Sequence, residues 1–96
     1  MDVLVTYDIA DTEGAGARRL KHVADVCSKY GQRVQFSVFE CRLSPTRLTR
    51  MIGEIEDVID RARDSVIVYR FDGAIEHSTL RLGRDHERKL GQPWVL

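Results

Sequence analysis

A chain of 96 residues, 43% hydrophobic and 31% charged, fits one soluble domain with a single two-layer core, and is short enough to leave an apolar face for a partner to cover. Fifteen Lys and Arg balance fifteen Asp and Glu, which argues against indiscriminate binding of polyanions, and no apolar run approaches the ~20 residues of a membrane span. The opening MDVLVTYD has an acid at position 2 and no small-residue cleavage site, so no secretory signal is expected; the setting reads as cytoplasmic, with Cys27 and Cys41 as reduced core thiols.

Residues 3–9, VLVTYDI, are β-branched and aromatic and read as a strand. Asp8 at its tip has two readings, a turn-capping aspartate or a functional carboxylate. The polar connection ADTEGAGA follows, and its Asp11 and Glu13 read as acids of an exposed turn. From Arg18 to Tyr30 the apolar positions Leu20, Val23, Ala24, Cys27 and Tyr30 recur at three and four, one face of an amphipathic helix that stops at Gly31. RVQFSVFECRL alternates in two phases with a slip near Val38, which predicts two short strands about a tight turn or bulge, or one sharply bent strand.

Ser44 as N-cap and Pro45 at the first helical position open a second helix, whose apolar stripe is Leu48, Met51, Ile52, Ile55, Val58, Ile59 and Ala62. SVIVYRF is a strand with apolar residues in both phases, so cover is expected on both faces. After the DGAIEHS turn, TLRLG is a candidate for one more short strand, and RDHERKLGQPWVL is a polar tail with an apolar tip. The domain therefore reads as residues 1–83 and the tail as residues 84–96. The order strand, helix, strand, strand, helix, strand predicts an α+β, ferredoxin-like (βαββαβ) fold, one antiparallel sheet with two helices on one face. The other face predicts a two-fold homodimer through the sheet, with the extra C-terminal strand helping to cover it.

Such a fold does not fix function. An RNA-recognition module needs aromatics along its third strand, and SVFECRL supplies only Phe39. There is no H-E-x-x-H, P-loop or nucleophile elbow, and His22, His77 and His86 lack ligand spacing and read as surface residues. Charge is divided along the chain: residues 18–50 carry eight Lys and Arg against two Asp and Glu. That block is open to two readings, solvated surface or a polyanion site.

VTYDI, RRLKHVADVCSKYG, QRVQFSVFEC and DSVIVYRF, in this order and in a chain of this length, resemble the CRISPR-associated protein 2 family. The likeness spans residues 2–71 and, more loosely, LRLG at 80–83; VLVTYD and GQRVQFSVFEC look closest to members from type I systems. The resemblance implies a homodimer in which the two copies of Asp8 face each other across the two-fold axis. Carboxylates brought together repel unless one is protonated or a cation lies between them, and Mg²⁺ suits oxygen ligands while keeping several waters. Asp8 is thus the implied catalytic residue and Mg²⁺ ligand of an endonuclease acting on RNA or DNA.

By the same resemblance Arg18, Arg19, Lys21 and Arg33 meet nucleic-acid phosphates. Tyr7, on the opposite sheet face from Asp8, packs in the core or interface, Ser37 serves the hairpin turn and Phe39 packs. The implied partners are a second copy, the CRISPR-associated integrase (CRISPR-associated protein 1) and duplex DNA, in spacer acquisition for antiviral defence; no membrane is implied. Two readings of activity stand side by side, an enzyme that cleaves RNA or DNA and a scaffold that only bridges and measures DNA. A small-molecule-sensing domain of the same fold is a third. The apolar tip of GQPWVL docks on its own dimer or on the integrase.

Overall fold

The computed structural model describes residues 1–83, and the expected tail at 84–96 lies outside the described residues. Strand β1 (Asp2–Asp8) alternates as its sequence requires: Val3, Val5 and Tyr7 are buried, whereas Leu4, Thr6 and Asp8 project to the other side. Helix α1 (Gly16–Tyr30), the hairpin strands β2 (Gly31–Gln35) and β3 (Val38–Arg42), helix α2 (Pro45–Val58) and strand β4 (Ser65–Phe71) follow. The sheet order is β2-β3-β1-β4, antiparallel throughout. This is the ferredoxin-like arrangement.

Register decides what each face carries. Val3 opposite Cys41 and Val5 opposite Phe39 lie beneath the helices, where Val23, Val26, Cys27, Leu48, Met51 and Ile55 close the core. Thr6 sits between Val38 and Ile67, and Leu4 between Glu40 and Tyr69, on the face the helices leave open.

Helix boundaries have local causes. Ser44 Oγ accepts the Arg47 N–H at 3.2 Å and Pro45 follows it, the expected start of α2. The expected stripe overran the helix: Ile59 is already its C-cap, and Ala62 lies in the exposed Asp60–Asp64 turn, which draws its own hydrogen bonds from the Asp60 and Asp64 carboxylates. Gly31 ends α1 in extended backbone; a Cβ there would lie 2.3 Å from the Glu40 carbonyl oxygen, so glycine is needed for close approach to β3. Lys29 and Tyr30 both bind Glu54, and the Arg47 guanidinium lies 4.9 Å from the Tyr30 ring centre, tying α1 to α2.

The short strand expected at TLRLG is absent. A 3-10 helix, Ile75–Ser78, is followed by irregular chain through Gly83. The Ile75 N–H donates to Asp2 Oδ2 at 2.8 Å and Arg81 pairs with Glu40 at 2.7 Å, so the segment crosses the open face instead of adding to an edge. It covers the end near Asp2. The rest of the face stays open, with Tyr69, opposite Leu4, 48% exposed and Ile67, nearer Asp8 and opposite Thr6, 47% exposed.

Candidate active site

Asp8 closes β1 on that open face, opposite Ser65, with an exposed side chain. Among the described residues, no ion pair engages its carboxylate. The turn-capping job belongs to Asp11. It takes the left-handed conformation at φ 55°, accepts the Gly16 N–H on its carbonyl at 2.8 Å and receives the Ala15 N–H on its carboxylate at 3.1 Å. Short polar side chains tolerate that conformation because they hydrogen-bond locally. Asp8 is therefore left with no structural task that the described chain supplies.

A buried ion pair fixes the strand end. The Asp64 side chain is 0% exposed and that of Arg19 18%. Asp64 accepts Arg19 Nε at 2.8 Å, the Ala10 N–H at 3.0 Å and the Asp60 N–H at 2.8 Å, while Arg19 Nη2 donates to the Ala10 carbonyl at 3.0 Å. Both polar groups of Ala10, two residues beyond Asp8, are thus held by one pair. Burial pushes the Asp64 carboxyl up, but the hydrogen bonds from Arg19, Asp60 and Ala10 and the Arg19 charge outweigh it and hold it at about 2. Gly16 packs against the same carbonyl so closely that a Cβ would stand 1.8 Å from the Ala10 oxygen.

The hairpin is tied to β1 from the other side. The Tyr7 N–H donates to the Ser37 carbonyl at 3.1 Å and the Tyr7 hydroxyl to the Phe36 carbonyl at 3.2 Å. The Tyr7 ring stacks with Phe39 at 6.3 Å between centroids, and the Arg33 guanidinium lies 5.1 Å from the Phe39 ring centre. Burial pushes the Tyr7 phenol up, with Arg33 pulling against it. Tyr7, Arg33, Ser37 and Phe39 thus form one cluster that anchors the turn beside Asp8.

The expected phosphate-binding cations separate. Arg18 is exposed, Lys21 is exposed in a surface pair with Asp25 at 2.8 Å, and Arg33 is exposed over Phe39. Arg19 differs: its guanidinium is committed to Asp64 and Ala10, which makes it a brace for the strand end. No cluster of three or more His, Cys, Asp or Glu side chains among the described residues is set to hold a metal ion. One carboxylate fits Mg²⁺ only in part, since the octahedral shell is otherwise completed by waters, a substrate phosphate or a second carboxylate.

Asp64 and Gly16 are site residues that reading the sequence missed. Arg19 and Asp64 are 45 positions apart, so no helical or strand period links them. DSVIVYRF credits the strand and hides the acid in front of it.

The site thus combines a ferredoxin-like sheet with one partly uncovered face, a solvent-open carboxylate at the end of its first strand, and exposed cations on the adjoining helix and hairpin. The chain belongs to the CRISPR associated protein Cas2 family, whose model matches residues 1–75. It is 40% identical over 94 residues to the CRISPR-associated endoribonuclease Cas2 of Chlorobaculum tepidum, covering 94% of this chain and 98% of that one. With the CRISPR-associated endonuclease Cas2 of Halalkalibacterium halodurans it shares 38% over 95 residues, 99% of each chain. The crystal structure of Streptococcus pyogenes Cas2 at pH 6.5 superposes with a TM-score of 0.79 at 41% identity, covering 86% of this chain and 100% of that one. No helix among the described residues is long and apolar enough to cross a membrane.

Proposed function

We propose that the protein is a homodimeric, Mg²⁺-dependent phosphodiesterase of the CRISPR apparatus, cleaving RNA or DNA at a site made by two copies of Asp8. The observation that carries this reading is an exposed strand-end carboxylate without a structural task, on the sheet face where Ile67 and Tyr69 stay uncovered. The relatives named endoribonuclease and endonuclease support it. Burial of that face against its symmetry mate brings the two acids together, where their repulsion favours a shared cation. Bound Mg²⁺ supplies an activated water and neutralises charge on phosphate oxygens. The chain's own part is to hold the cation through Asp8, to keep the strand end rigid through Arg19 and Asp64, and to attract phosphates to Arg18, Lys21 and Arg33.

The same exposed cations support a second role, laying duplex DNA across the dimer and bridging the integrase, CRISPR-associated protein 1, during spacer acquisition in the cytoplasm. Phosphate contacts of this kind are insensitive to sequence.

Asp8→Asn separates the two roles. Loss of a residue that merely supports a metal ligand costs roughly 10–100-fold, so loss of the ligand itself is expected to lower Mg²⁺-dependent cleavage by about 100-fold or more. DNA binding stays intact. Cleavage that survives Asp8→Asn, or a monomer in light scattering at working concentration, defeats the two-carboxylate site; a wild-type dimer that binds duplex DNA without cleaving leaves the scaffold role.

A further inference from the structure

On the hairpin side Asp8 has no cross-strand neighbour, because the pairing of β1 with β3 runs only from Asp2–Arg42 to Thr6–Val38. On the other side β4 continues further, and its final pair sets Asp8 directly opposite Ser65. Directly opposed residues of an antiparallel ladder share a face, with Cβ atoms about 4.5–5.5 Å apart. The alternation of β4 agrees: Ser65, Ile67 and Tyr69 are exposed on the open face, whereas Val66 and Val68 are half-buried against the core.

Ser65 has no other use in the fold. It is exposed and lies outside the buried cluster, and none of the side-chain hydrogen bonds among the described residues involves its hydroxyl or the Asp8 carboxylate. Its place is nonetheless fixed. The residue before it, Asp64, has a buried side chain that holds the Ala10 N–H at 3.0 Å, so the ion pair that braces the end of β1 also braces the start of β4. A carboxylate and a hydroxyl are thereby kept side by side at one corner of the sheet, neither committed to another group. They are complementary, since an ionised carboxylate only accepts hydrogen bonds and a serine hydroxyl can donate one.

We propose that Ser65 is a positioning residue of the Asp8 site: its hydroxyl donates to one carboxylate oxygen and so orients the other toward a divalent cation. This rests on the reading of Asp8 as a metal ligand and deepens it by naming the group that orients the ligand.

The test uses the full chain without nucleic acid and Mn²⁺ alone as the probe, free Mn²⁺ being read by electron paramagnetic resonance. Loss of a group that orients a metal ligand costs about 10–100-fold in affinity, which is the weakening expected of Ser65→Ala. Ser65→Thr keeps a hydroxyl and suits a strand, so it should restore binding. Both variants should melt with the wild type, because the side chain is exposed and makes no internal hydrogen bond. Undiminished Mn²⁺ binding by Ser65→Ala, or a loss that Ser65→Thr does not rescue, overturns the assignment. So does a Ser65→Ala chain that melts lower or sediments more slowly than the wild type, because Ser65 would then serve the fold or the association of copies. Asp8→Asn separates this from the reading beneath it: Mn²⁺ binding lost with Asp8→Asn but kept with Ser65→Ala sinks the Ser65 assignment alone, whereas equal binding with and without the Asp8 carboxylate sinks the metal reading with it.

Discussion

Asp64→Ala is expected to remove roughly 3–5 kcal/mol of folding stability, the cost of breaking a buried ion pair from one side. Domains of this size have only about 5–15 kcal/mol in total, so a large share is at stake. The variant leaves the Arg19 guanidinium mostly buried, and the Ala10 and Asp60 N–H groups lose their acceptor. Urea unfolding should show a lower midpoint at an unchanged slope, and the Ala10 amide should exchange with solvent far ahead of the β1 core. Adding Arg19→Ala should cost much less than its own single substitution, because the pair is already broken. Additive losses would show that the two side chains do not act as a unit.

The same pair sets an acid limb. Asp64 has its folded value at about 2 against 3.8 in the ordinary carboxylate, so its contribution is complete above the unfolded value and is lost as pH falls through the folded one. A shift of that size corresponds to roughly 2 kcal/mol. Wild-type stability should decline between pH values near 4 and 2, and Asp64→Ala should flatten that decline. It should not abolish it, since Asp2 is also held at about 2, chiefly by the Arg42 hydrogen bond and then by the Ile75 amide. An equally steep limb in the variant would remove Asp64 as its source.

Gly16→Ala is the second large effect. The new methyl would stand 1.8 Å from the Ala10 carbonyl oxygen and 2.7 Å from that of Asp11, backbone atoms with no rotamer to escape into. Overpacking of this kind costs typically about 1–3 kcal/mol and sometimes more, and relief requires moving either α1 or the strand end that carries Asp8. Cleavage should therefore fall together with stability. Gly53→Ala provides the contrast: nothing lies within 4 Å of its added Cβ inside α2, so lower backbone entropy in the unfolded chain should stabilise by about 0.5–1 kcal/mol. Should thermal melting rank the two variants the other way round, the close approach at Gly16 is not what requires glycine there.

Elements with short periods were legible before folding. The stripes of α1 and α2, the phase slip that becomes the Phe36–Ser37 turn, and the strand apolar in both phases are local patterns, and local patterns survive into the fold. Val26, absent from the expected α1 face although it lies three residues after Val23 and four before Tyr30, is buried with that face. TLRLG failed as a strand for a different reason: alternation makes a strand only where an edge accepts it, and Asp2 and Glu40 draw this segment across the face. The end of β1 at Asp8 was legible from the strand pattern and the proposed role of that acid rests on the family resemblance, whereas the support behind it was not legible. Asp64 reaches Arg19 and Ala10 from the far side of α2, and Gly16 owes its identity to a carbonyl six residues earlier. Contacts of that kind have no period to read.

The alternation of β1 sets Tyr7 into the core and Asp8 onto the face shared with Ile67 and Tyr69. In the proposed dimer, whatever buries those side chains also assembles the acids, so association and cation binding become linked equilibria. Each then strengthens the other by mass action. Specific activity would rise with enzyme concentration until the dimer saturates, and added Mg²⁺ would tighten the dimer. A dilution series, usually a routine control, thereby becomes a thermodynamic measure of how far the two copies of Asp8 depend on each other.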